Sequence, residues 1–210
     1  MTRFPTLIAL VAALPLVAAC GSAASAGTPS SGAPPVSAPH RVVAASELVA
    51  HMSDLGLGYI AVPTQTGPIS RAEELKGDGP AARKADLAGY RSGYRALYAD
   101  SDKDGVLTSA WEYSKDGYAT TVISDRHAIA TAAKEIHGTI HAAPSGAPGT
   151  HGVLLVGKLT EAGAKVPAYA YAWQHGSTLN LLLYFGVHAT PSRLIKIAAS
   201  QDRRETTAGV

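Results

Sequence analysis

The segment AYAYAW alternates alanine with aromatic residues. Successive side chains of a strand point to opposite faces, so Tyr169, Tyr171 and Trp173 are expected on one face and the alanines on the other. The alanines suit close packing of a helix, which would leave the aromatic face open to a ligand or partner. Tyr94 and Tyr98, on an earlier predicted strand, complete this candidate ligand-binding set. The alternative is that the rings are core residues, because aromatic side chains dominate protein cores.

The acidic segment DSDKDG is a second candidate for chemistry. Asp100, Asp102 and Asp104, followed by Gly105, match the opening of a calcium-binding loop. Such a loop requires a bidentate glutamate at its twelfth position, which here is Trp111, and its flanks are helices rather than strands. We therefore expect a β-hairpin turn that binds calcium weakly or not at all. Loose cation binding by the three carboxylates stays open.

Three histidines, His137, His141 and His151, lie close together in the sequence. Gly138 interrupts the helix that would place the first two on one face, and no cysteine or acidic residue lies among them. We predict solvated loop histidines, no metal site and no cofactor. The chain also lacks the G-x-S-x-G segment of a serine nucleophile and a glycine-rich phosphate loop with lysine, so no catalytic residue is predicted.

Cys20, the only cysteine, directly follows an apolar segment that begins at Leu7. This segment is shorter than the roughly 20 residues that span a bilayer, and a basic start followed by small residues is typical of a secretory signal. The residues VAAC resemble the lipobox of bacterial lipoproteins. The resemblance implies cleavage before Cys20 and acylation of its thiol by chains such as palmitate, which would anchor the protein to the membrane. The alternative is a secretory signal with a chance cysteine.

Composition divides the chain into four parts: a signal peptide (1–19), the lipidated cysteine with a disordered Gly/Ser/Ala/Pro tether (20–41), one domain (42–205) and a tail (206–210). The formal net charge of +2 gives no indication of a nucleic-acid partner. The membrane, reached through Cys20, is the one partner that this division predicts.

The domain alternates strand-like and helix-like segments. YRSGYRALYA, VLTSAWEYS and YATTVIS, separated by turns that contain Asp-Gly, predict three antiparallel strands. A helix over SDRHAIATAAKEIHG follows, then the strand HGVLLVGKL, a hairpin formed by PAYAYAWQ and TLNLLLYFGV, and a helix over TPSRLIKIAASQ. We predict an α+β fold with an antiparallel sheet of about five to seven strands and helices packed mainly on one face.

The segments LGLGYIAVP, LAGYRSGYRALYADSDKDG, PGTHGVLLVG and YAYAWQHGSTLNLLLYF resemble a recurrent extracytoplasmic domain of actinobacterial lipoproteins. More distantly, they resemble the sensor or PsbP-like domains of such proteins. The resemblance implies a location on the extracytoplasmic face of the cell membrane. These proteins are mostly of unknown function, so it implies no functional residues.

The predicted function is that of a non-enzymatic binding or interaction module, whose partner is a small molecule, a cell-wall component or a protein. One alternative is a surface hydrolase acting on cell-wall or nutrient substrates. The other is a carrier of an apolar ligand held between the sheet and the helices. An apolar cavity without buried ionisable groups would favour binding, whereas a Ser–His or Glu–Glu pair in a cleft would favour an enzyme.

Overall fold

A computed structural model describes residues 43–75, 79–161 and 163–209. The predicted signal peptide, Cys20 and the tether to residue 41 lie outside the described residues. The described chain forms one eight-stranded sheet in which neighbouring strands are antiparallel. The α+β class predicted from sequence is thereby confirmed.

Two strands are two residues long and the others are longer. The strands are β1 (Ile60–Ala61), β2 (Gly67–Pro68), β3 (Tyr90–Ala99), β4 (Gly105–Tyr113), β5 (Thr139–Ala142), β6 (Thr150–Glu161), β7 (Ala164–His175) and β8 (Thr178–Phe185). The helices are α1 (Ala45–Leu48), α2 (Met52–Leu55), α3 (Arg71–Glu74), α4 (Pro80–Gly89), α5 (Asp116–Ile123), α6 (Arg126–Glu135) and α7 (Pro191–Ala208). Helix α7 therefore continues into the stretch that the sequence assigned to a tail.

The order of strands across the sheet is β1-β3-β4-β8-β7-β6-β5, with β2 also paired to β3. The Asp-Gly segment forms the predicted turn between β3 and β4, where Lys103 has a φ of 68°. A second tight turn at Gly176 joins β7 to β8. The eight strands exceed the predicted five to seven because β2 and β5, of two and four residues, are too short to give a clear period-two signal.

The segment YATTVIS, predicted as a strand, belongs to helix α5. Its β-branched residues favour a strand locally, but Ala119, Val122 and Ile123 recur at helical spacing and are buried beside Tyr113 and Leu179. Burial of this helical face outweighs the β propensity of the individual residues.

One face of the sheet, here called the aromatic face, carries Tyr169, Tyr171 and Trp173 of β7. Helices α1, α2 and α7 pack against it. Buried residues of α7, such as Leu194 and Ile197, join the core that contains Tyr171 and Trp173.

The opposite face, here called the alanine face, carries Ala168, Ala170 and Ala172 of β7. Helices α4, α5 and α6 pack against it. Helices thus cover both faces rather than mainly one, because strands such as β8 present apolar side chains on both sides. None of the described helices has the length and apolar composition needed to cross a bilayer.

Candidate functional site

Helix α7 covers the aromatic side chains of β7. Tyr171 and Trp173 are 1% and 0% exposed, and their stacked rings have centroids 5.3 Å apart. The Trp173 indole N–H donates to Asp202 of α7 over 3.2 Å, and the Tyr171 hydroxyl donates to the carbonyl of Pro148 over 2.8 Å. These two residues are core residues, which was the alternative that the sequence left open.

The remaining predicted aromatic residues lie on the same face. Tyr98 is buried and its hydroxyl donates to the carbonyl of Ala50 over 3.0 Å, whereas Tyr94 and Tyr169 are half-buried against the same core. The structure therefore brings the five candidates together, but beneath helices rather than on an open surface. Covering these large rings removes much apolar surface from water, which favours the packing of helices over them.

The alanine face carries an apolar pocket, whereas the sequence had favoured the aromatic face as the one open to a ligand or partner. An apolar pocket of about 170 Å³ opens between the sheet and helices α5 and α6. Residues from β6, β7, β8, α5 and α6 line it, among them Leu155, Ala170, Ala172, Leu181, Ile123 and Ile129.

The register of the sheet explains why a hollow forms there. Ala172 of β7 lies opposite Leu181 of β8 on one side and Val153 of β6 on the other. Directly opposite residues of an antiparallel pair share a face, so the short alanine lies between two longer side chains. Alanines along β7 thus form the floor of a depression, and α5 and α6 provide its walls.

The pocket is suited to binding rather than to bond chemistry. Its lining is almost wholly apolar, and Glu74 is the one ionisable residue that contributes to it among the described residues. An apolar cavity of about 150 Å³ is large enough to hold a benzene ring. The pocket can therefore remove one ring or a short branched hydrocarbon group from water.

The acidic hairpin uses its carboxylates within the fold. Asp100 Oδ1 accepts the backbone N–H groups of Asp102 and Asp104, each over 2.9 Å. Asp104 is 1% exposed and accepts the Tyr184 hydroxyl and the backbone N–H of His188, each over 3.1 Å. The hairpin prediction is confirmed, and weak or absent calcium binding stays a prediction.

The predicted loop histidines do not assemble into a cluster with other metal-binding side chains. His137, His141 and His151 are exposed, but His141 lies in strand β5 and His151 in strand β6, so the prediction that they are loop residues is wrong for these two. Within the described part of the chain, the group of side chains close enough to share an ion contains none of them.

That group, here called the acid–imidazole cluster, consists of His175 at the end of β7 and Asp202 and Glu205 of α7. His175 Nδ1 lies 2.9 Å from Asp202 Oδ1 and 4.0 Å from Glu205 Oε2. Sequence analysis missed this cluster. The spacing of three between the two acidic residues places them on one helical face, but only the fold brings His175 to them.

Glu205 is fully buried between α7 and the sheet. Its Oε2 accepts the side-chain N–H of Asn180 over 3.0 Å, whereas its Oε1 has no hydrogen-bond partner. Burial raises the pKa of Glu205 to about 8; the Asn180 hydrogen bond lowers it, and the nearby Asp202 carboxylate raises it further. Burial therefore disfavours the charged form of this carboxyl group.

A chain of buried polar side chains leads to Glu205. The Thr108 hydroxyl donates to Gln201 Oε1 over 3.0 Å, and Gln201 Nε2 donates to Asn180 Oδ1 over 2.8 Å. Asn180 in turn donates to Glu205. These bonds fix the Asn180 amide and hold the Glu205 carboxyl in one orientation.

The chain matches no protein-family model and no curated protein. Among solved structures it is similar to the extracellular domain of PknH from Mycobacterium tuberculosis. The TM-score is 0.49 at 11% sequence identity, and the match covers 80% of this chain and 99% of that chain. No ligand, residue role or function is transferred from a likeness at this level.

Proposed function

We propose that this protein is a membrane-anchored extracytoplasmic lipoprotein whose domain binds a small apolar ligand, or the apolar group of a larger one, without catalysis. The pocket on the alanine face is the observation that carries the proposal. A ligand in this pocket would lie between the sheet and the helices. The proposal therefore combines the predicted binding module with the alternative of an apolar-ligand carrier. The anchor rests on the resemblance of VAAC to a lipobox at Cys20.

The character of the lining supports binding. Helix α6 contributes Ala132 and Ile129 from its half-buried face, and the sheet contributes Ala172 and Leu181, so hydrocarbon surrounds an occupant on two sides. Transfer of apolar surface from water into such a site yields about 25 cal/mol per Å². The burial of one ring would thus favour binding without any specific hydrogen bond.

The hydrolase alternative has no comparable support. His175 and Asp202 are in contact and would provide two of the three members of a nucleophilic triad. In the described chain, however, His175 hydrogen-bonds to that carboxylate and not to a hydroxyl group. Trp173 and α7 also cover this corner of the sheet. Binding is therefore the function that the geometry favours.

Filling the pocket tests the proposal. In the secreted Cys20→Ala protein, we expect saturating toluene to raise the thermal midpoint and to shift the methyl NMR signals of Ile129 and Leu181. Ala132→Leu places a larger side chain in the pocket and should abolish both effects. Ala88→Leu makes the same change at an exposed position of α4 and should leave both effects intact.

Two results would contradict the proposal. One is toluene binding that persists unchanged in Ala132→Leu, which would place the ligand elsewhere. The other is the absence of any shift at Ile129 and Leu181 in the unmodified pocket, which would show that it does not admit an apolar group.

A further inference from the structure

We infer that His175, Asp202 and Glu205 form a site for one divalent transition-metal ion of the zinc class, separate from the apolar pocket. The three side chains provide one imidazole nitrogen and two carboxylates at the edge where α7 crosses the end of β7. Imidazole nitrogens and the carboxylate oxygens of aspartate and glutamate are among the ligands that bind zinc in proteins, and sites with three protein ligands keep a fourth position open.

The spacing of the donor atoms fits a single ion. One ligand atom from each residue lies within 4.8 Å of the other two. Metal–ligand bonds of about 2.0–2.2 Å in tetrahedral geometry place ligand atoms roughly 3.3–3.6 Å apart. The distances from His175 Nδ1 to Asp202 Oδ1 and to Glu205 Oε2, 2.9 Å and 4.0 Å, lie on either side of this range. Small side-chain rotations would bring both distances into this range.

Both carboxylates are already oriented by neutral donors. The Trp173 indole N–H bonds to Asp202 Oδ1, and the Asn180 amide bonds to Glu205 Oε2. Hydrogen bonds of this kind hold metal-binding carboxylates in position and account for a substantial part of the affinity of known sites. Neither donor brings a positive charge that would compete with a cation.

The complete burial of the Glu205 carboxyl beside His175 is the independent observation that points to a ligand. Glu205 is 0% exposed and its Oε1 has no partner, which is costly for a buried acceptor. The neighbouring cation, Arg204, is directed elsewhere, since it bonds to Asp54 over 2.6 Å and to the Val49 carbonyl over 2.8 Å. An ion bound by Glu205 Oε2 together with His175 and Asp202 would offset the cost of burying this carboxyl group.

The donor types select the kind of ion. Calcium takes six to eight oxygen ligands and magnesium retains several waters, whereas an imidazole favours zinc and its neighbours among the transition metals. The side chains of His175 and Asp202 are each 19% exposed, so an ion can enter from solvent at that edge. A fourth ligand, such as water, would occupy the same open side.

Zinc titration of the full-length chain tests the inference, with Zn²⁺ alone as the probe and a fluorescent chelator as the competitor. We expect one tight Zn²⁺ site and no comparable Mg²⁺ or Ca²⁺ binding. Asp202→Asn keeps an acceptor for Trp173 but removes the charge, and it should weaken zinc binding at least tenfold. Asp102→Asn in the acidic hairpin and His141→Gln at an exposed position of β5 are matched controls, and they should bind zinc like the unmodified chain.

A second variant and a direct measurement guard against misfolding. His175→Gln, at the half-buried end of a strand, should also weaken zinc binding at least tenfold, and its melting with chelator present shows whether it folds. X-ray absorption of the zinc-loaded unmodified chain should show one imidazole and otherwise oxygen ligands. Three results would overturn the inference. The chain could fail to bind zinc tightly, or the spectrum could show no imidazole or several. Zinc affinity could also fall in His141→Gln but not in the cluster variants.

The same titration separates this inference from the proposed function. Zinc should bind equally well to Ala132→Leu, because the apolar pocket lies on the opposite face of the sheet. If the unmodified chain binds zinc but not toluene, only the proposed function fails. If it binds toluene but not zinc, only the metal site fails.

Discussion

The carboxylate of Glu73 connects the short helix α3 to the sheet. Its Oε2 accepts the backbone N–H and the hydroxyl of Ser70, each over 2.9 Å, and its Oε1 accepts from Arg95 of β3 over 3.1 Å. Burial raises the pKa of Glu73, but the Ser70 hydrogen bonds and the Arg95 charge outweigh this effect and lower the pKa below its ordinary value of 4.5.

A lowered pKa in the folded state contributes stability above the ordinary pKa, and that stability is lost as the pH falls through the folded value. Glu73→Gln keeps an acceptor for Ser70 but brings no charge to Arg95. We expect this variant to lose up to about 1 kcal/mol of unfolding free energy at pH 7 and nothing below the folded pKa. Urea denaturation between pH 3 and pH 7 measures the difference, with the exposed Glu47→Gln as the control. A loss that does not depend on pH would contradict the ion-pair account.

At the scale of elements, the end of helix α6 lies directly on strand β6. The backbone N–H of Lys158 donates to the Ile136 carbonyl over 2.6 Å, and a side chain at Gly157 would overlap that carbonyl. A Cβ there would also lie 2.7 Å from the Cα of Gly138. Both obstacles are backbone atoms, so they cannot move aside as a flexible side chain would. This close approach sets the position of α6, and hence of one wall of the apolar pocket.

Gly157→Ala should therefore destabilise the domain by about 1–3 kcal/mol. Gly117→Ala is a matched control in α5, because its Cβ would meet nothing within 4 Å. We expect it to leave stability unchanged or to raise it by up to about 1 kcal/mol, since alanine favours a helix over glycine. Equilibrium unfolding in urea compares the two. Equal effects from both substitutions would mean that α6 does not approach β6 as described.

At the scale of the whole molecule, the proposed anchor determines where the domain works. Replacing Cys20 by alanine removes the thiol that would carry the lipid, so the protein should move from the membrane fraction to the medium. Its thermal midpoint should match that of the anchored form, because the predicted Gly/Ser/Ala/Pro tether separates Cys20 from the domain. Cell fractionation and the intact mass of the mature protein are the measurements. A mature chain that retains residues 1–19 would rule out the anchor.

The sequence by itself determined the fold class and most of the elements. Strict alternation in AYAYAW, the Asp-Gly turn and the helical spacing around Ile129 are local signals, and each appears in the structure as predicted. Period-two alternation also assigned Tyr171 and Ala172 to opposite faces correctly. These features depend on backbone geometry over a few residues, so neighbours in the sequence are enough to specify them.

Only the tertiary structure decided what covers each face and which distant side chains meet. Helix α7 packs on the aromatic face over rings such as Trp173, whereas α5 and α6 cover the alanine face and leave the pocket above Ala172. His175 meets Glu205 only because the same helix crosses the end of β7. Alternation shows that a strand has two faces but not which one a helix will cover, since that choice is made by burial summed over the whole sheet.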